Sequence, residues 1–149
     1  MAELTIRKME LNDINQVMFV EIASFTSPWT EEIFKQELIE NHHAHYYIMT
    51  LDEKVIGYVG MWIVFDDAQI TNIAILPGYR GQKLGEKLFR FAMQKAVSLG
   101  VTRLSLEVRV TNVVAQKMYR KFGLVPGGIR KNYYTDNHED AIVMWVNLI

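Results

Sequence analysis

Apolar and polar positions switch repeatedly between a two-residue and a 3.6-residue period along this chain. Residues 4–9 read as a short strand. Asn12 is placed to cap a helix through about Ser24, with Ile14, Val17, Met18, Ile22 and Phe25 on one stripe. Pro28-Trp29-Thr30 opens a second helix over roughly 30–40, with Ile33, Phe34 and Leu38 inward. Three strands follow at about 44–51, 54–65 and 68–76, and Asp52-Glu53 and Asp66-Asp67 sit in the gaps as hairpin turns. The clearest helix runs from about Lys83 to Leu99: Leu84, Leu88, Phe91, Ala92, Ala96 and Leu99 form its stripe, and Gly100 stops it. Strand 102–110 puts Leu104, Leu106, Val108 and Val110 on one face and Arg103, Ser105, Glu107 and Arg109 on the other. Asn112 then caps a helix with Ala115, Met118, Tyr119 and Phe122 inside, ending at Gly123. Strands at about 124–131 and 140–147, joined by a loop over 132–139, close the pattern. The order β-α-α-β-β-β-α-β-α-β-β predicts an α/β fold, a mixed sheet with helices on its faces.

Composition narrows the function. Of 149 residues, 50% are hydrophobic and 22% charged, which excludes a disordered chain. Sixteen basic residues against seventeen acidic ones give a net charge of -1, so no global basic field points to nucleic acid. There is no cysteine, which removes disulfides, thiolate metal sites and a cysteine nucleophile together. The longest apolar stretch, Val55 to Phe65, carries two glycines and falls short of the ~20 residues of a membrane span. The first residues alternate in charge without an apolar signal-peptide core. The expectation is one soluble, cytoplasmic domain over residues 1–149, acting on neither membrane nor nucleic acid.

Chemistry concentrates at the 76–85 junction. A strand ending Asn72-Ile73-Ala74-Ile75 meets Tyr79-Arg80-Gly81-Gln82-Lys83-Leu84-Gly85 and then the long helix. Helix-start N–H groups lack intrahelical partners and carry the positive end of the macrodipole, so this turn suits an anion. The glycines allow close approach, and Arg80 and Lys83 add charge; a plain β-to-α connection explains the same residues. The triplet of a Walker loop and the spacing of a dinucleotide fingerprint are both missing. Glu107 lies on a polar strand face that must border water or a cleft, either as a general base or as an ion-pair partner of Arg109 or Arg103. Tyr119 falls on an apolar helix stripe, where an aromatic is ordinary core, although a buried hydroxyl needs a partner. His42, His43 and His45 cluster at a turn without an acidic partner, and no metal is expected.

These residues together resemble the GCN5-related N-acetyltransferase superfamily over nearly the full length, and within it the bacterial ribosomal-protein-alanine N-acetyltransferases (the RimI group). The similarity rests on Ser27-Pro28-Trp29-Thr30, Asn72-Ile73-Ala74-Ile75, Tyr79 to Gly85, Leu106-Glu107-Val108-Arg109 with Asn112, Tyr119 with Phe122-Gly123, and Ile129-Arg130-Lys131-Asn132-Tyr133-Tyr134 followed by Glu139-Asp140-Ala141. It implies a central, largely antiparallel sheet of about seven strands with about four helices. It implies acetyl-CoA as co-substrate, the pantetheine arm on the backbone of Ile73, Ala74 and Ile75, and the pyrophosphate on residues 81–86 (Gly81, Gln82, Lys83, Leu84, Gly85, Glu86) beside Arg80. Asn112 would also touch the cofactor. Glu107 becomes the general base and Tyr119 the general acid. Trp29, the Asp66-Asp67 turn, Tyr133 and Tyr134 would flank the acceptor, the N-terminal alanine of a small-subunit ribosomal protein.

One position departs from the superfamily pattern: Lys83 stands where the middle glycine belongs. A positive φ there would cost on the order of 1–2 kcal/mol, so the expectation is an ordinary first-turn helical residue. The chemistry suits an N-terminal amine: with a pKa of about 7.7–8.0, freeing its lone pair at neutral pH costs roughly 1 kcal/mol, against roughly 4–5 kcal/mol for lysine. A backbone N–H near Ile73–Ile75 would serve the oxyanion. A tyrosine is a weaker acid than a thiol by roughly 2 kcal/mol, so Tyr119 would act mainly as a hydrogen-bond donor to sulfur. A lysine or small-amine acetyltransferase and a non-catalytic CoA-binding module are the competing readings.

Overall fold

The computed structural model describes residues 2–148. Its strands are β1 (Leu4–Lys8), β2 (Ala44–Leu51), β3 (Lys54–Val64), β4 (Asp67–Ile75), β5 (Arg103–Arg109), β6 (Val125–Arg130) and β7 (Ala141–Asn147). Its α-helices are α1 (Ile14–Ser24), α2 (Glu31–Ile39), α3 (Leu84–Ser98) and α4 (Val113–Lys121). The seven strands form one sheet in the order β1-β2-β3-β4-β5-β7-β6. Every neighbouring pair is antiparallel except β4 and β5.

Local chemistry sets the element ends. The Thr30 hydroxyl accepts from the Ile33 N–H, and Glu31 and Glu32 add negative charge to the first turn of α2. Asn112 caps α4 in the same way through the Ala115 N–H at 3.2 Å. Gly100, at φ 87°, ends α3, where the Gly100 and Val101 N–H groups reach back to Val97 and Ala96. Asp52 and Glu53 both take positive φ, the backbone of a tight hairpin. The next hairpin turns one residue earlier than expected, at Phe65-Asp66, with Phe65 at φ 56° and Asp67 already paired in β4.

Two cores, one on each face of the sheet's centre, fix which helix residues point inward. Met9, Ile14, Val17, Val20, Phe34, Tyr46, Ile48 and Tyr58 make the core under α1 and α2. Met49, Ile56, Val59, Leu88, Phe89, Ala92, Tyr119 and Met144 make the one under α3 and α4. The inward face of α1 is therefore Ile14, Val17, Val20 and Glu21, while Ile22 and Phe25 are exposed, correcting the expected stripe. Ile33 and Leu99 are likewise exposed, and Phe34 and Phe89 carry the burial. Gly60 has a packing reason: a Cβ there would stand 2.1 Å from the Tyr46 ring.

What positions the site is the way β4 leaves β5. Only Asp67↔Arg103, Ala68↔Leu104 and Gln69↔Ser105 pair before the strands part. On its other side β4 stays on β3 down to Gly57↔Ile75, but Gly60 opposes Asn72 while Met61 opposes Ile70, so Thr71 is an extra, bulged residue. From Ile70 onward one edge of β4 has no strand beside it, and a cleft opens in the middle of the sheet.

Candidate active site

The cleft between the parted strands has a volume of about 610 Å³. Glu107 projects into it from β5, because strict alternation puts Leu106 and Val108 in the core and Glu107 on the opposite face. Its Oε2 accepts from Gln69 Nε2 at 3.0 Å, across the last paired rung before the splay. Its Oε1 pairs with Arg130 Nε at 3.3 Å. Neither Arg109 nor Arg103 is the partner. Same-face residues of one strand stand about 7 Å apart, and both arginines have nearer attractions. Arg109 pairs with Asp136 at 2.8 Å and Glu139 at 3.3 Å and lies over the Tyr134 ring at 3.9 Å. Arg103 lies over Trp145 at 4.6 Å.

Tyr119 reaches the same cleft from α4. Its ring is buried against Phe89, centroids 5.1 Å apart, so the core reading holds for its body. Its hydroxyl finds no hydrogen-bond partner among the described residues. Burial, with Tyr134 close by, holds that hydroxyl well above the usual tyrosine range. It is therefore a protonated O–H with its donor unspent.

Two loops wall the opening. Tyr133 and Tyr134 meet edge to face with centroids 5.1 Å apart, and Arg109 anchors their loop. Opposite them, Trp29 lines the cleft with its backbone N–H donated to Glu21 Oε2 at 2.8 Å. Glu21 is only 1% exposed and also accepts from the Tyr58 hydroxyl. Burial pushes the Glu21 carboxyl up, against the pull of those two donors. The loops touch where Thr26 Oγ1 donates to Asp136 Oδ2 at 2.5 Å. Asp66 and Asp67 are not in the lining, contrary to expectation. Asp66 instead accepts from the Thr102 N–H at 2.7 Å and the Thr102 hydroxyl at 3.0 Å, fastening the closed end of the β4–β5 pair.

At the other end, the backbone N–H groups from Gly81 to Glu86 have no protein acceptor among the described residues, the first return bond being Lys87 N–H to Lys83. Lys83 sits at φ 61°, ψ 21° as the residue before α3, not in its first turn. This reverses the expected conformation. Gly81 is also at positive φ, so two of the three residues 81–83 take the left-handed backbone of which anion-binding nests are built. Arg80 is not free to assist, since Nε donates to the Ile75 carbonyl at 2.9 Å and Nη2 to Ser24 at 3.2 Å. Leu84 is buried, and Gly85 leaves room beside Met118. Glu86 pairs with Lys121 at 2.7 Å, which lowers its carboxyl pKa. Ile73 to Ile75 line the unpaired edge of β4, and Asn112 spends its side-chain oxygen on the Ala115 N–H. Near the bulge, Asn72 Oδ1 is buried without a partner, an unmet acceptor. His42 and His43 form the turn before β2 while His45 lies within it, and among the described residues no cluster of acidic or histidine side chains gathers as for a metal.

Gln69, Glu21, Thr26 and Trp62 also line the cleft and were not foreseen, while Asp136 belongs to the 132–139 loop expected to flank the acceptor. Glu21 had a signal, a carboxylate on the inward side of an apolar helix. Trp62 had none: it is held by Nε1 to Glu37 at 2.6 Å, a residue remote in sequence.

A family model for the acetyltransferase (GNAT) family matches residues 10–124. The chain belongs to that family and is an N-acetyltransferase. It is 33% identical over 142 residues to the ribosomal protein bS18-alanine N-acetyltransferase of Escherichia coli (strain K12), covering 94% of this chain and 95% of that one. A Bacillus subtilis (strain 168) protein that carries the same name provisionally is 59% identical over 147 residues, covering 99% of this chain and 97% of its own. The crystal structure of the Escherichia coli ribosomal-protein-S18-alanine N-acetyltransferase superposes with a TM-score of 0.90 at 31% identity, covering 98% of this chain and 94% of that one. The expected sheet and helices, and the RimI grouping, are those of these relatives.

Proposed function

We propose that this protein transfers acetyl from acetyl-CoA to the N-terminal alanine amine of ribosomal protein bS18, in the cytoplasm and by direct transfer within a ternary complex. The observation that carries the reading is the full-length likeness to the Escherichia coli enzyme of that name, together with a carboxylate and an unspent tyrosine hydroxyl facing one cleft.

The residues present suit acetyl-CoA. The unpartnered N–H groups of Gly81 to Glu86 would hold the pyrophosphate, with the Lys83 ammonium adding charge. The free edge of β4 at Ile73, Ala74 and Ile75 offers strand-like hydrogen bonds to the pantetheine amides. The Asn112 amide N–H groups remain available at the cleft, its oxygen being spent on Ala115. When bound, acetyl-CoA supplies the activated acyl group.

Glu107 takes the proton of the amine, directly or through one water, and the fixed Gln69 bond holds its carboxylate toward the cleft. Tyr119 donates its hydrogen bond toward the departing sulfur; burial disfavours its ionisation, so it keeps its proton and the sulfur would leave as a hydrogen-bonded thiolate that is protonated from solvent. A backbone N–H of the β4 edge serves the developing oxyanion. Trp29, Tyr133 and Tyr134 border the acceptor's path to Glu107.

Mass spectrometry of intact ribosomal proteins from cells with and without this chain tests the reading. The expected result is loss of one acetyl group from the N-terminus of bS18 alone. An unchanged bS18 mass sinks the acceptor assignment. Thermal unfolding with acetyl-CoA tests the cofactor separately, and a midpoint unmoved at saturating ligand overturns it.

A further inference from the structure

Glu107 is held by a hydrogen-bond donor on one oxygen and by an ion-pair partner on the other. Gln69 is neutral, sits on a paired rung of β4 and bonds at 3.0 Å. Arg130 is charged, reaches in from the end of the edge strand β6, and approaches no nearer than 3.3 Å through Nε, an ion pair without an aligned hydrogen bond. The side chains differ as much in their surroundings: that of Glu107 is 10% exposed, that of Arg130 59%. The Arg130 guanidinium also lies 5.7 Å from the centre of the Tyr133 ring. Beside Glu107 there is thus a place that already accepts a cation, with a carboxylate oxygen on one side and an aromatic face on another.

That place is where an amine must come if Glu107 is to take its proton. At pH 7 an N-terminal amine with a pKa of about 7.7–8.0 arrives mostly as an ammonium. Two cations cannot share one carboxylate oxygen without repulsion. The ion pair is longer than the Gln69 bond, lacks an aligned hydrogen bond and is mostly solvated on the arginine side, so it is the one that yields.

Resting on the reading of the cleft given above, we propose that Arg130 is a resting-state stand-in for the acceptor: its guanidinium occupies the ammonium position at Glu107 and Tyr133, and the acceptor's N-terminal ammonium displaces it. Arg130 then sets a threshold for entry. A neutral or N-blocked chain end has nothing to exchange for the ion pair, while a charged α-amine replaces it like for like. Arg109 does not compete, being committed to Asp136 and Glu139.

The test is calorimetric binding of an alanine-initiated peptide to the full chain with CoA present, which needs no turnover. Arg130→Met removes the charge from a largely exposed side chain. It should tighten binding of the free-amine peptide by about threefold to fivefold, the upper part of the scale of a largely solvated ion pair. Arg130→Lys should stay within about twofold of the wild type, and the N-acetylated peptide should show no gain with Arg130→Met. Weaker binding to Arg130→Met, an equal gain for the blocked peptide, or no binding to either protein would overturn the proposal. Turnover of the same free-amine peptide by the wild type judges the activity itself, so the two can fail separately.

Discussion

Arg80 donates from Nη2 to the Ser24 hydroxyl at 3.2 Å, tying the turn between β4 and α3 to the last residue of α1. Its Nε meanwhile holds the Ile75 carbonyl at 2.9 Å. The guanidinium that the sequence offers to the turn over 81–86 is spent on linking Ser24, which lines the cleft at the end of α1, to Ile75 at the end of β4.

Arg80→Ala should therefore raise KM for acetyl-CoA and for the acceptor peptide together, each by about threefold to tenfold, the loss of one or two hydrogen bonds involving a charge. A phosphate ligand would behave otherwise, raising KM for acetyl-CoA alone and flattening its salt dependence. Steady-state kinetics in both substrates at two ionic strengths separate these outcomes.

Lys83 carries a left-handed backbone that glycine would adopt without strain. Lys83→Gly should stabilise the fold by up to about 1–2 kcal/mol, offset in part by glycine's greater freedom when unfolded. In a chain of this length each kcal/mol moves Tm by about 2–4 °C. The same change removes an ammonium beside the free N–H groups, so affinity for acetyl-CoA should fall while Tm of the unliganded protein rises. Scanning calorimetry with and without the cofactor checks both signs, and a fall in the unliganded Tm would refute the strain argument.

Much of the fold is legible in the sequence because alternation and the 3.6-residue stripe report directly on burial, as in β5 and α3. Reading failed where tertiary contact overrode pattern. α1 is apolar nearly all round, so periodicity alone misplaced its inner face at Ile22 and Phe25, and the buried Glu21 marked the true one. Lys83 was misjudged because backbone conformation at a helix entrance is set by where the N–H groups must point, which side-chain type does not encode. Glu107 and Tyr119 were readable from a polar strand face and from family likeness. Their supports were not: Gln69 and Arg130 meet Glu107 only through strand pairing and a distant edge.

Glu107→Gln and Tyr119→Phe should each lower kcat by about two to four orders of magnitude, the range of general acid–base catalysis. The two differ in stability. The Tyr119 hydroxyl gives up no protein hydrogen bond on removal, so Tyr119→Phe should unfold at or slightly above the wild-type temperature. Glu107→Gln breaks the pair with Arg130. Turnover of Glu107→Gln near the wild-type rate at neutral pH would remove Glu107 as the base.

The loop over 132–139 rests on carboxylates whose protonation can be followed. Asp136 is drawn down to about 2, first by the Thr26 hydroxyl and next by Arg109. Glu139 is drawn down to about 2 by the Thr111 hydroxyl and backbone N–H, with Asn137 and Arg109 adding less. Both folded values lie below the ordinary 3.8 and 4.5, so the stability they contribute is present above that range and is lost as pH falls through about 2. Carboxyl-carbon NMR should find both midpoints near the low end. Thr26→Val should raise the Asp136 midpoint and leave Glu139 in place, and Thr111→Val should do the reverse. Arg109→Met should raise both, because its guanidinium pairs with each of them. Should Thr26→Val leave Asp136 unmoved, the bond closing the cleft's two loops is absent in solution, and the acceptor's entrance stands open without a partner bound.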